Sequence, residues 1–184
     1  MKDLGEASFV LGIEIHRDRR NGMLALSQKA YLENILKKYN MHKSKPTPGP
    51  IVKGDSFGKY QCPKNKYELE QMKAVPYASV VGSLHYAQVC THPDLNFLTG
   101  ILGRYQSNPG IEHWKIVKKA LRHVRGTTGL MLIYIKSESF KIQGYSESDF
   151  AGDVDDRKST SGYIFTLAKR AITWKSSKQS CRGV

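Results

Sequence analysis

The stretch Ile111-Glu112-His113-Trp114-Lys115-Ile116-Val117-Lys118-Lys119-Ala120-Leu121-Arg122-His123-Val124-Arg125 decides how the chain divides. Trp114, Val117, Leu121 and Val124 recur three and four apart, which places them on one face of an α-helix. Lys115, Lys118, Lys119, Arg122 and Arg125 recur at the same intervals on another face. Gly126 is placed to end the helix. Before this stretch helical spacing dominates, and past Gly129 alternation takes over.

Working towards the N-terminus, Ser107-Asn108-Pro109-Gly110 reads as a break. Tyr77 to Cys90 is small and apolar, the pattern of a buried helix. Thr91-His92-Pro93-Asp94 starts a second helix that runs to about Gln106, with proline near its first turn. Lys43 to Val75 holds Pro46, Pro48, Pro50 and Pro63 with Gly49, Gly54 and Gly58, and reads as an extended linker with one or two helical turns at Glu68 to Lys73. Ala7 to Ile15 alternates as a half-buried strand. Asn21-Gly22 turns it back into a short strand through Met23, Leu24 and Leu26. Ser27 is placed to cap a helix striped by Leu32, Ile35, Leu36 and Tyr39.

Working towards the C-terminus, Leu130 to Ile135 and Phe140 to Tyr145 read as paired strands. Tyr163 to Leu167 and Ala171 to Trp174 read as two more, joined around Ala168-Lys169-Arg170. The order hairpin, helices, strands predicts an α+β fold of two partial domains, split near Gly126 to Gly129.

Charge narrows the partners. In 184 residues Lys+Arg is 29 and Asp+Glu is 16, a net +13, which points to a polyanion: nucleic acid first, an acidic membrane surface second. The five cations of the 111–125 helix have a spacing suited to tracking phosphates; the alternative is a solvated helix face. Three cysteines without a Cys-x-x-Cys exclude a disulfide framework and a zinc knuckle. The charged N-terminus lacks the apolar stretch of a signal peptide, and no run approaches the ~18 apolar residues of a membrane span. These features predict a reducing intracellular setting, cytoplasm or nucleus, and no membrane partner.

A second cluster is acidic: Tyr145-Ser146-Glu147-Ser148-Asp149, then Asp153, Asp155 and Asp156. Glu147 and Asp149 differ by two and share a face of an extended strand, where carboxylates can hold Mg²⁺. The alternative is an acidic turn neutralised by Arg157-Lys158. Asp153-Val154-Asp155-Asp156 reads as a loop. The six histidines show no metal spacing, and no nucleophile elbow or triad is present.

The residues also carry a resemblance. Met1-Lys2-Asp3-Leu4-Gly5, Leu11-Gly12-Ile13-Glu14-Ile15 and Leu26-Ser27-Gln28-Lys29-x-Tyr31 resemble the segment after the polymerase active site in copia-type LTR retrotransposon Pol polyproteins. Pro76-Tyr77-Ala78-Ser79-x-x-Gly82-Ser83-Leu84, His92-Pro93-Asp94 and the run from Gly103-Arg104-Tyr105 to His113-Trp114-Lys115 continue it. Gly144-Tyr145-Ser146 to Asp149-Phe150-Ala151-Gly152, Arg157-Lys158-Ser159-Thr160-Ser161-Gly162-Tyr163, and Trp174-Lys175-Ser176 with Gln179 resemble the opening of that family's ribonuclease H domain.

The resemblance implies that residues 1–128 are the C-terminal portion of a reverse transcriptase: primer-grip hairpin, thumb and connecting helices, with 43–75 as linker. Residues 129–184 are then the first strands of an incomplete, truncated RNase H-like sheet. The family's polymerase aspartates precede Met1-Lys2-Asp3-Leu4-Gly5, and its later RNase H acids follow the third strand, so this chain is expected to carry neither set. Glu147 and Asp149 are vestigial RNase H acidic positions, with Glu147 standing where the family usually places aspartate. Magnesium serves the parent family, and none is expected to bind tightly here.

The expected function is nonspecific binding of nucleic acid, an RNA–DNA hybrid or duplex, through Lys115, Lys118, Lys119, Arg122 and Arg125, without catalysis by this chain alone. The alternatives are a segment of a functional RNA-directed DNA polymerase/ribonuclease H completed by flanking Pol sequence, and a non-catalytic interaction remnant.

Overall fold

The computed structural model describes residues 5–52, 54–137 and 139–182; Met1–Leu4 of the first motif and Gly183-Val184 at the chain's end lie outside them. Five helices carry the core: α1 (Lys29–Lys38), α2 (Lys66–Lys73), α3 (Tyr77–Cys90), α4 (Asn96–Gly103) and α5 (Ile111–Thr127). The periodic stripes explain who faces whom. Leu32, Ile35 and Leu36 of α1 meet Val80, Val81, Leu84 and Ala87 of α3, Leu98 and Leu102 of α4, and Val117, Leu121 and Val124 of α5. Helix α3 is apolar on most sides because α1, α4 and α5 cluster around it. Tyr77 is buried among them and donates from its hydroxyl to the Leu102 carbonyl at 3.0 Å.

Two antiparallel sheets flank the helices. The first has the order β1-β2-β3-β4, from β1 (Phe9–Val10), β2 (Ile13–Asp18), β3 (Met23–Ser27) and β4 (Leu132–Ile135). The second has the order β5-β6-β7, from β5 (Ile142–Ser148), β6 (Lys158–Leu167) and β7 (Arg170–Arg182). Among the described residues, neither sheet contributes to the helical core cluster. The model is therefore mixed α and β with two antiparallel sheets, in line with the α+β expectation.

Several local expectations change. The alternating stretch Ala7 to Ile15 is two strands, because Leu11 and Gly12 both take positive φ (50° and 74°) and reverse the chain between Val10 and Ile13. Two left-handed residues in a row match the twist of a two-residue hairpin turn. Strand β4 pairs with β3, with Leu24 opposite Tyr134 and Leu26 opposite Leu132, and not with the strand that follows it. Alternation fixes which side chains share a face but carries no information on the partner strand. Gly126 lies inside α5, which runs on to Thr127. Its missing side chain leaves room for Pro46, whose Cβ would stand 3.2 Å from a Cβ added there.

The 43–75 segment holds α2 and a 3₁₀ turn at Lys59–Gln61. Asn65 caps α2 by accepting the Glu68 amide at 2.9 Å. Ile51, Phe57 and Val75 pack on the core, so this proline-rich stretch is a strap laid over the helices.

Leu84 is fully buried where α1, α3 and α5 converge. Leu84→Ala is expected to lower unfolding free energy by about 2–5 kcal/mol through lost transfer energy and the cavity left behind. Urea titration followed by tryptophan fluorescence measures it.

Candidate nucleic-acid interface and acidic site

The apolar stripe of α5 is buried, which turns its basic stripe outward, but the strap crosses that stripe. The Lys119 ammonium donates to both Asp55 carboxylate oxygens, at 2.9 and 2.7 Å, and both side chains are largely buried. Burial pushes the Asp55 carboxyl up, but the Lys119 bond and the Val52 amide outweigh it and hold the group below the usual range. Thr47 donates its amide to the Arg122 carbonyl at 3.4 Å, and the half-buried Arg122 guanidinium leaves its Nε without a protein partner. Arg125 donates from Nε to the His42 carbonyl at 2.8 Å yet stays exposed. Lys115 is exposed, beside Glu112 at 2.6 Å, and Lys118 is half-buried.

The five cations thus share a helix but not an environment. Lys115, Lys118 and Arg125 reach solvent, and Lys119 is committed to Asp55. The fold also supplies a cation that the helix alone does not reveal. Lys37, at the end of α1, lines a groove of about 280 Å³ together with His42 and Arg125.

Glu147 sits exposed on β5, opposite Gly162 of β6. It lines a cleft of about 290 Å³ between the second sheet and the start of α4, with Asp94, Phe97, Tyr145, Trp174 and Lys175. Asp149 lies just past the end of β5. Its Oδ1 accepts the Thr160 amide at 2.8 Å and the Gly152 amide at 3.2 Å. The carboxylate therefore holds the loop that follows instead of extending the Glu147 face. Among the described residues no group of three His, Cys, Asp or Glu side chains comes together as a metal site would require.

The acids that do come together are those of the 153–156 loop. Asp153 is buried and accepts from Arg104 Nη1 at 2.6 Å and Lys178 Nζ at 2.6 Å, while its Oδ1 takes the Asp155 amide at 2.9 Å. Burial alone would raise its pKa, but Lys178, that amide and Arg104 hold it low. Asp155 accepts the Lys59 amide at 2.8 Å and the Tyr105 hydroxyl at 3.0 Å. Asp156 meets Lys178 at 2.7 Å. Tyr105 in turn stacks on the buried His113, their ring centroids 4.1 Å apart. One acidic loop therefore joins the end of α4, the strap and β7. The only sequence signal was three aspartates in four residues ahead of Arg157-Lys158, which marks a charged turn without naming its distant partners.

A second polar cluster lies where the turn between α3 and α4 meets α5; its Thr91, His92 and His123 are buried, while Asp94 is exposed. His123 on α5 bonds through Nε2 to Asp94. That bond raises the His123 pKa above the ordinary imidazole value. Burial pushes Asp94 up, but His123 outweighs it and holds the carboxyl low. Neighbouring His92 is pushed down by burial; its Nδ1 lies 2.8 Å from the Thr91 hydroxyl, which also meets Gln28 at 2.7 Å.

The arrangement defines a class first: a basic α+β segment with a cation-bearing helix, and a second sheet tied to the end of α4 by buried charge. Comparison with known proteins supplies the particular family. The chain is 45% identical over 181 residues to the retrovirus-related Pol polyprotein from transposon TNT 1-94 of Nicotiana tabacum, a match covering 98% of this chain and 14% of that polyprotein. It is 33% identical over 179 residues to the retrovirus-related Pol polyprotein from transposon RE2 of Arabidopsis thaliana, covering 97% of this chain and 12% of the relative. An uncharacterized mitochondrial protein of Arabidopsis thaliana is 32% identical over 183 residues, covering 97% of this chain and 70% of the relative. The chain belongs to the copia-type retrotransposon Pol polyprotein family. No protein-family profile matches it, and no solved structure does. No helix among the described residues is long and apolar enough to cross a membrane.

Two outcomes follow from these charges. Asp153→Ala removes the carboxylate partner of Arg104 and leaves Lys178 with Asp156 alone, two cations that are each about a quarter exposed (22% and 27%). The expected loss is about 2–4 kcal/mol, somewhat below the ~3–5 kcal/mol of a wholly buried pair, read by chemical denaturation. The Asp94–His123 pair contributes most between about pH 4 and pH 6.5, the unfolded values of its two groups. Its contribution fades as pH rises through the elevated His123 pKa, and fades again as pH falls through the depressed Asp94 pKa. Asp94→Asn should return His123 towards its ordinary titration in histidine NMR and flatten that part of the stability profile.

Proposed function

We propose that this Pol segment grips the sugar–phosphate backbone of an RNA–DNA hybrid or duplex without reading sequence, and that alone it neither polymerises nor cleaves. The observation that carries the reading is the set of cations on α5 that face outward, Lys115, Lys118 and Arg125, on a helix whose other face is locked in the core. Lys37 extends the same basic face beside Arg125, and the net +13 adds long-range attraction to a polyanion. Lys119, already paired with Asp55, is a minor contributor. In this reading residues 1–128 are the end of a reverse transcriptase and 129–184 the opening strands of an RNase H-like sheet. The antiparallel β5-β6-β7 order, with Glu147 on β5 and Asp149 just beyond it, supports that assignment.

Absence of cleavage rests on Asp149, whose Oδ1 is spent on two backbone amides, so we propose no tight magnesium binding. A second reading, an enzyme segment completed by flanking Pol sequence, is supported by the small share of each polyprotein that the chain spans.

Salt-titrated binding to a labelled hybrid tests both parts. Lys118→Glu with Arg125→Glu should weaken binding for every sequence and lower the salt slope by about two, while Lys119→Gln should change it little. Binding indifferent to salt would refute the backbone grip. Magnesium-dependent hybrid cleavage that disappears in Glu147→Ala would refute the inactivity.

A further inference from the structure

The strap carries one acid, and that acid points at the basic helix. From Lys43 to Lys64 the strap holds five lysines and a single carboxylate, Asp55. Its side chain turns inward, while Val52, Gly54 and Ser56 beside it face solvent. A short turn aims it: the Val52 amide donates to Asp55 Oδ2 at 2.8 Å, and the Asp55 amide donates to the Val52 carbonyl at 3.1 Å. Opposite stands Lys119, the middle cation of the α5 row, whose ammonium meets both carboxylate oxygens. Three residues on, the Thr47 amide reaches the Arg122 carbonyl, so the strap crosses the row at its centre. Arg125 lies seven positions beyond Lys118, about 10 Å of helix, and the solvent-facing cations are thereby parted into two groups. Ile51 and Phe57 anchor the strap on the core to either side of Asp55, and none of the described residues between them joins that packing. Neutralising Asp55 therefore leaves both anchors in place.

We propose that Asp55 is a resident competitor for phosphate: an autoinhibitory contact that keeps the centre of the α5 cation row out of the backbone grip and holds that grip weaker than the whole row could make it. The inference rests on the backbone grip proposed above and adds its regulation. A carboxylate and a phosphodiester each carry one negative charge and accept through two oxygens, so they compete for the same ammonium. The carboxylate belongs to the chain and stands beside Lys119 at a high effective concentration, whereas a phosphate arrives from solution. The pair is also largely shielded from water, where salt screens it less than it screens an exposed phosphate contact. Lys119 therefore stays with Asp55 when a polyanion docks on Lys115, Lys118 and Arg125. Removing the carboxylate charge frees one more cation, next to Lys118 on the helix, and closes part of the break in the row. The strap's five lysines show that its one acid is not there to neutralise the strap itself.

The test is a double-mutant cycle on the full chain, freed of nucleic acid with nuclease, with a labelled RNA–DNA hybrid as probe. Asp55→Asn keeps an acceptor for the Val52 amide and removes the charge. It should bind the hybrid about three- to tenfold more tightly, with a salt slope steeper by about one. Asp55→Ser provides a second neutral variant, and circular dichroism checks that both keep the native spectrum. Adding Lys119→Gln to either should cancel the gain, although Lys119→Gln alone changes binding little. Glu70→Gln alters net charge equally but frees only Lys73, its partner on α2, and should give the smaller rise of bulk charge alone. Asp55 variants that bind no more tightly than Glu70→Gln overturn the proposal, as does a gain that survives Lys119→Gln. In both of those cases the wild-type chain still binds with its ordinary salt dependence, so only the Asp55 contact is refuted. A wild-type chain whose binding ignores salt removes the backbone grip, and this inhibition with it.

Discussion

A single buried carboxylate, Asp153, ties the two halves of the molecule together. It lies between the Arg104 guanidinium at the end of α4 and the Lys178 ammonium of β7, each at 2.6 Å. A carboxylate removed from water is tolerable only when cations and amides replace its hydration, and here Arg104, Lys178 and the Asp155 amide do so. Among the described residues, the strands of the second sheet contribute nothing to the main cluster of the helical core. The sheet is held instead by directed contacts: Asp153 and Asp155 from the loop, the Trp174 indole on Gln88, and the Tyr134 hydroxyl on Ala171. Apolar burial is nondirectional, whereas charged and hydrogen-bonded contacts have geometry, so these few bonds set the angle at which the sheet meets the helices.

The same logic governs the basic helix. Its apolar stripe faces inward because burying Val117, Leu121 and Val124 stabilises the fold, and helical geometry then forces the cations outward. The strap modifies that simple division. Asp55 is the sole acid between Lys43 and Asn65, and it meets Lys119 in a largely buried pair. The basic face offered to a polyanion is thereby shifted towards the ends of the helix, Lys115 and Lys118 on one side and Arg125 with Lys37 on the other. Charge counted along the sequence overstates the charge a partner meets.

Particular residues show where sequence reasoning reached and where it stopped. Helices α1 and α5 were legible from their own 3.6-residue period and α3 from its run of small and apolar residues, all local properties. The β6–β7 hairpin was legible for a similar reason, although its turn uses left-handed Ala168 and Lys169 in place of glycine. The β1–β2 hairpin was not, because a non-glycine residue, Leu11, takes positive φ there, and alternation continues unbroken through it. The pairing of β4 with β3 joins residues more than a hundred positions apart, a relation no local pattern encodes. At the candidate site, Glu147 lies on its strand, while the Asp149 carboxylate accepts the Gly152 amide of the following loop and the Thr160 amide of β6.

The sequence by itself determined the helical stripes, the excess of positive charge and the family to which the chain belongs, since periodicity, composition and motif order are properties of the chain read in line. Only the tertiary structure decided which charges are spent. Whether Lys119 faces solvent or Asp55, and whether Asp153 is a surface acid or a buried tie, depends on segments tens of residues away being brought within hydrogen-bonding distance. At that range the exchange of water for a fixed partner sets the energy of a charged group.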